Sequence, residues 1–262
     1  MTTGFPIRPE HPPGEVQAAA RRELRRLWQF NRTLGPSERT RGLHYWLGYE
    51  YALILALTRT CPGQTWLDVG AGAHSVMPYA FAHRNQLRVI GLDRTDRLAE
   101  QIDRGRRACR HGLVAAGQVH WVRGDARTLP MPDASLDGVL AVSALEHLTD
   151  GEDDAVALRE VHRVLRPGGR AVVTVPFRSR GSMIELHGLQ PFQRHYSPAT
   201  LAESFVRPSG LAVESTICYG ERLPFYALTR RLPSRAHRLL ILRRPRPQTG
   251  SVTPTQVDPR LL

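Results

Sequence analysis

Apolar residues repeat with a helical period in two blocks near the N-terminus, then give way to short apolar runs separated by amphipathic stretches. The first block predicts a helix from Val16 to Phe30, with Ala19, Ala20, Leu24, Leu27 and Trp28 on its apolar face. The second predicts a helix from His44 to Thr58, stopped ahead of Pro62–Gly63. Strands are predicted at Thr65–Val69, Arg88–Leu92, Gln118–Arg123, Leu136–Val142, Arg170–Val175 and Leu211–Cys218. Helices are predicted to begin at Ser75 and Asp96, to cover Glu152–Leu165, and to cover Pro198–Phe205 behind a Ser197 cap. This alternation predicts an α/β fold, a doubly wound and mostly parallel sheet with an N-terminal helical extension.

No seventh strand stands out. Pro224–Leu242 reads as one or two basic amphipathic helices, and the proline-bearing stretch beyond it as loosely draped or disordered. The expected division is a helical cap over 1–60, an α/β domain over 61–220 with a substrate-facing insert at 176–197, and a basic extension over 221–262.

With 262 residues, 41% hydrophobic and 23% charged, the chain has the make-up of a globule with one substantial core. No apolar run approaches the roughly 18 residues that span a bilayer, so no membrane span is predicted and a cytoplasmic enzyme is the expectation. Cys61, Cys109 and Cys218 are far apart and form no Cys-x-x-Cys pair, which argues against a structural metal site. The net charge of +12 comes from 36 basic residues against 24 acidic ones, and every basic residue is arginine. Complete avoidance of lysine points to compositional bias as much as to a binding surface. A nucleic-acid partner stays open on this charge, as does a homodimer through the basic C-terminal segment.

The chemistry concentrates at the predicted strand ends. Trp66–Leu67–Asp68–Val69 runs into Gly70–Ala71–Gly72–Ala73–His74, a buried strand ending in a glycine turn. Such turns let a ligand approach the backbone at the carboxyl edge of a doubly wound sheet. Asp93 closes the second strand, 21 residues after Gly72, where a carboxylate can accept both hydroxyls of a ribose. Asp125 closes the third, placed to accept from an exocyclic amine. The dinucleotide fingerprint fails, because Ser75 stands where its third glycine belongs. A phosphate loop is excluded by the lack of lysine, and the Gly-x-Ser-x-Gly hydrolase elbow is absent.

Leu67–Asp68–Val69–Gly70–Ala71–Gly72 resembles the first motif of the class I S-adenosylmethionine-dependent methyltransferases. Leu129–Asp137 and Ala144–Leu148 resemble that family's stretches before and after strand four, and Glu160–Arg170 resembles its turn into strand five. The resemblance covers roughly residues 43–218 and implies a Rossmann-like methyltransferase fold with S-adenosyl-L-methionine as cofactor. It implies a cofactor set of Asp68, Gly70, Ala71, Gly72, His74, Asp93, Arg94, Asp125, Ala126 and Ser143. His74 departs from the glycine common there. The candidate bases are His147, His187 and His195, and the candidate substrate contacts are Tyr45, Trp46, Glu146, Arg194 and Tyr196. The implied activity is methyl transfer to an oxygen, nitrogen or carbon of a small molecule. The alternatives are an RNA or protein methyltransferase, or an inactive cofactor-binding partner protein.

Overall fold

The computed structural model describes residues 12–34, 45–178, 180–220 and 236–247. Two helices come first, α1 (Gly14–Thr33) and α2 (Tyr45–Leu57), packed on each other. Then follow β1 (Thr65–Val69), α3 (Met77–Asn85), β2 (Arg88–Asp93), α4 (Leu98–Arg110), β3 (Val119–Arg123), β4 (Leu136–Val142), α5 (Asp153–Val164) and β5 (Leu165–Phe177). A hairpin of β6 (Met183–His187) and β7 (Gln190–His195) leads to α6 (Pro198–Thr200), a π-helical turn over Leu201–Val206, and β8 (Ala212–Gly220). The last described strand is β9 (Ala236–Arg243).

Seven strands form one sheet in the order β3-β2-β1-β4-β5-β9-β8. The first five are parallel, and β9 runs antiparallel between β5 and β8. Period-two alternation gives this sheet two apolar faces. Leu67, Val139, Val173 and Leu240 face α5 and the π turn through Leu158, Val161 and Phe205. Trp66, Leu140, Val172 and Leu239 face α1–α4 through Leu27, Ile54 and Phe81. The indole of Trp66 lies against Gly138 on β4, where any side chain would collide with it.

Two expectations need correction. Residues 236–243 are a strand, where the sequence suggested a basic amphipathic helix over Pro224–Leu242; the remainder of that stretch, 221–235, lies outside the described residues. The apolar run Leu239–Leu242 is too short to separate strand from helix, and what decides it is a slot between two strands. Residues beyond 220 therefore complete the central sheet. Within the predicted helix Pro198–Phe205, only the first turn is α and the rest winds as π.

Candidate functional site

Every parallel strand delivers its carboxyl end to one edge of the sheet, and β1 and β4, neighbours in space, connect in opposite directions there. That reversal opens a crevice beyond the strand ends. A cavity of about 250 Å³ lies in it, lined by Gly70, Asp93, Arg94, Ala126, Ser143 and His147 among others. A larger cavity of about 440 Å³ sits against α1, α2 and α3, and no strand-end residue lines it. Its principal charges satisfy each other, with Arg84 donating twice to Glu23 at 3.0 Å.

The glycine turn is shaped by its neighbours. Gly70 has φ +71, and a Cβ there would sit 2.5 Å from that of Ala144, so only glycine lets the turn lie against the end of β4. The Leu92 carbonyl accepts from the amides of Gly70 and Ala71 at 2.8 and 3.1 Å. From beneath, Gln101 Nε2 donates to the Gly72 and Ser75 carbonyls at 2.9 and 3.2 Å. Arg104 donates to the carbonyls of His74 and Ser75, and Tyr51 pairs with the Ser75 hydroxyl at 2.8 Å. His74 has an ordinary backbone conformation, and its Nδ1 lies 3.3 Å from Glu100. The turn thus forms without glycine at that position, and the imidazole engages α4.

Asp93 is the hub. Its Oδ2 accepts from the Gly72 amide at 2.7 Å and its Oδ1 from the Thr95 amide at 2.8 Å. Each oxygen keeps a lone pair for a ligand hydroxyl. Asp68 lies buried behind the turn; burial and the nearby charge of Asp93 push its carboxyl up to about 8.

Asp125 is held within its own loop. Arg127 grips both its oxygens, at 3.0 Å through Nε and 2.7 Å through Nη2, and also bonds Asp153 at 2.6 Å. This grip holds the Asp125 carboxyl down to about 2. Gly124 and Ala126 on either side line the cavity, so this loop faces it with its backbone. Arg127→Ala is expected to loosen the loop and weaken S-adenosylmethionine binding by roughly three- to tenfold, the scale of a partly exposed ion pair. Calorimetry on the variant checks this.

His147 lines the cavity, and its Nδ1 lies 2.7 Å from the Phe192 carbonyl of the hairpin. A carbonyl only accepts, so Nδ1 carries the hydrogen and the Nε2 lone pair is left available. His187 and His195 sit on the hairpin; His195 pairs with Glu185 at 2.8 Å, and His187 lies 5.9 Å from the Phe192 ring. Neither lines the cavity. Arg194 and Tyr196 spend their polar groups inside the protein. Tyr196 donates to buried Asp154 at 2.5 Å, while Arg194 lies 3.1 Å from Asp154 and bonds the Thr149 and Gly151 carbonyls. Tyr45 and Trp46 open α2, and their side chains lie outside the described residues.

Glu146 is buried, and its Oε2 has no hydrogen-bond partner among the described residues. Another buried acid, Glu50 of α2, was not singled out from the sequence. Its oxygens lie 3.2 Å from the Ser143 hydroxyl, and Tyr219 donates to it at 2.5 Å. The available signal was its position, a lone carboxylate within the otherwise apolar helix YWLGYEYALILAL.

A doubly wound sheet with glycine turn, acidic hub and cavity at its switch point defines a protein that binds a nucleoside-bearing ligand. The methyltransferase-domain family matches residues 67–173. A probable S-adenosylmethionine-dependent methyltransferase of Mycolicibacterium smegmatis is 32% identical over 176 residues, 66% of this chain and 62% of that one. An O-methyltransferase (resE) of Aspergillus sclerotiorum is 37% identical over 112 residues, 42% of this chain and 39% of that one. The chain therefore spans less than two thirds of the length of either relative. Among solved structures, the [4+2]-cyclase SpnF superimposes with a TM-score of 0.62 at 19% identity, over 90% of this chain and 99% of that one. Over the matched residues the chain resembles the S-adenosylmethionine-dependent methyltransferases.

The residues present fit that cofactor. Gly70 lets the turn lie against Ala144 at the cavity wall, where no other residue fits, and the Asp93 oxygens retain acceptor capacity for a ribose diol. Among the described residues no helix is long and apolar enough to cross a membrane, and no cluster of ligating side chains suits a metal.

Proposed function

We propose that the chain transfers a methyl group from S-adenosylmethionine to an oxygen, nitrogen or carbon of a small-molecule acceptor. The cofactor supplies an electrophilic methyl carried on a sulfonium. Asp93 takes the ribose hydroxyls, and the Gly70–Gly72 backbone and Ser143 flank the methionine half. On the acceptor side, His147 Nε2 takes a proton when the acceptor carries one. An acceptor with a free lone pair needs only alignment and exclusion of water.

The observation that carries this reading is the position of His147, which lines the cavity and touches the hairpin. Its ring centroid lies 5.0 Å from that of Phe192. The hairpin also carries Met183, Ile184, Leu186 and Leu189, all exposed, which suits the wall of a partly apolar acceptor site. The O-methyltransferase relative is consistent with an oxygen acceptor. A nucleic-acid acceptor is less favoured, because its basic cluster is partly consumed: Arg104 is buried against the glycine turn and Arg106 pairs with Asp103 at 2.7 Å.

Incubation with methyl-labelled S-adenosylmethionine and fractionated cell extract tests this. Label is expected in the small-molecule fraction and absent when His147→Ala protein is used with an acceptor that must lose a proton. Label in the RNA or protein fraction alone overturns the proposal.

A further inference from the structure

Beside the cavity, the polar groups of four elements meet at one buried carboxyl. Glu50 of α2 is fully buried. It accepts from Tyr219 of β8, and the hydroxyls of Ser143 at the end of β4 and Thr174 of β5 bond it as well. Ser143 also donates its amide to Thr174 Oγ1 at 2.9 Å. Of these residues, Ser143 lines the cavity, and it does so at φ +47. A serine rarely adopts that conformation, and the cost is accepted at sites where a side chain must be aimed. The other titratable groups near Glu50 are Glu146, on the turn after β4, and Tyr51, beside it on α2.

We propose that Glu50 is a charge-sensing group of the cofactor site: it holds a proton in the free protein and in the S-adenosylhomocysteine complex, and releases it when cationic S-adenosylmethionine binds. The inference rests on the reading that this cavity takes that cofactor. With the ribose hydroxyls on Asp93, as proposed above, the methionine half lies toward Gly70 and Ser143, and Ser143 bonds Glu50. Burial raises the Glu50 carboxyl, and burial together with Glu50 raises Glu146 well above the ordinary range. Two buried carboxyls that resist ionisation are easily ionised by a positive charge brought beside them. Donor and spent product differ by the methyl and its positive charge. A site that ionises for one and not for the other prefers the donor and expels the product.

The sign follows from linkage. A carboxyl protonated in the free protein must lose its proton to stabilise the cation, so donor affinity rises with pH until the free protein itself ionises. Asp68, pushed up to about 8 by burial and by Asp93, stays in place in Glu50→Gln, so that variant separates its contribution from that of Glu50.

The test is calorimetric titration with S-adenosylmethionine and with S-adenosylhomocysteine between about pH 5 and 7, below the ligands' own amino titration. Buffers of different ionisation heat report the protons released. The affinity ratio of donor to product is expected to rise by up to about tenfold per pH unit, with more proton release for the donor. Glu50→Gln is expected to flatten the ratio while both ligands still bind. Should that variant fail to fold, Tyr219→Phe serves: it removes a donor to the carboxylate and is expected to move the rise to higher pH. A flat wild-type ratio with equal proton release, or a rise that persists in Glu50→Gln or stays in place in Tyr219→Phe, overturns the assignment while cofactor binding stands. Saturable binding of neither ligand overturns both.

Discussion

A chain ending at residue 235 is expected not to fold, although it retains every motif that marks the family. What it loses is β9. That strand pairs with β5 from Arg170↔Arg243 to Phe177↔Ala236 and with β8 from Ala212↔Arg243 to Gly220↔Ala236. Without it β5 becomes an open edge and β8 has nothing to pair with. Leu239, Leu240, Ile241 and Leu242 are buried, two on each face of the sheet. At about 1.5–3 kcal/mol per buried aliphatic side chain, their loss costs roughly 6–12 kcal/mol. That is comparable to the whole stability of a typical domain, about 5–15 kcal/mol. Beyond the strand, Arg244 clasps the turn into β5, exchanging backbone bonds of 2.9 Å with Gly168 and Gly169 and capping the carbonyls of His162 and Arg163. A chain ending at residue 247 keeps all of this and is expected to melt cooperatively. Circular dichroism and thermal unfolding of the two truncations decide the matter. A cooperative transition in the 1–235 chain would show that β9 is dispensable.

Asp93→Ala is expected to weaken S-adenosylmethionine binding by at least about 100-fold. Its carboxylate holds the Gly72 and Thr95 amides, so the substitution releases the glycine turn as well as the ribose contacts. A hydrogen bond to a charged group is worth about 1.5–3 kcal/mol, and two are lost to the ribose alone. The control is Asp133→Ala. Asp133 is exposed and pairs with Arg163 at 2.6 Å, outside the cavity, so its loss is expected to change affinity by less than about twofold. Calorimetry on both variants measures the difference; equal affinities would remove Asp93 from the site.

Much of this architecture is legible in the sequence because the relevant forces are local. Leu136–Val142 reads with the boundaries it has, since its run Val139–Val142 is continuously apolar as expected of a strand buried on both faces. Gly70 and Asp93 are brought together by the rule that strand ends converge, Ala126 and Ser143 by the resemblance, and all four line one cavity. The strongest motif match, Glu160–Arg170, proves to be scaffold. Glu160 accepts from the Leu129 amide at 2.8 Å, and Arg163 bonds the Leu129 and Met131 carbonyls at 2.9 Å, which pins the approach to β4. A motif can thus identify a family through residues that never reach the ligand.

Other features depended on partners remote in sequence. His147, His187 and His195 look alike along the chain, yet of the three His147 lines the cavity, while His195 pairs with Glu185 and His187 lies against Phe192 within the hairpin. Arg194 and Tyr196, expected as substrate contacts, are both held by buried Asp154, 40 or more residues away in sequence. His74 looks like a defect in the glycine turn until Glu100 and Arg104 supply its setting.

By itself the sequence determined the doubly wound sheet, the strand ends that matter and the acid that organises them, since periodicity, glycine turns and strand-end spacing are properties of neighbouring residues. Only the tertiary structure decided that 236–243 is a central strand, that Asp154 holds Arg194 and Tyr196, and that Glu50 stands beside the cofactor cavity. Each of those rests on contacts between segments distant in sequence, and Glu50 meets Tyr219 across 169 positions.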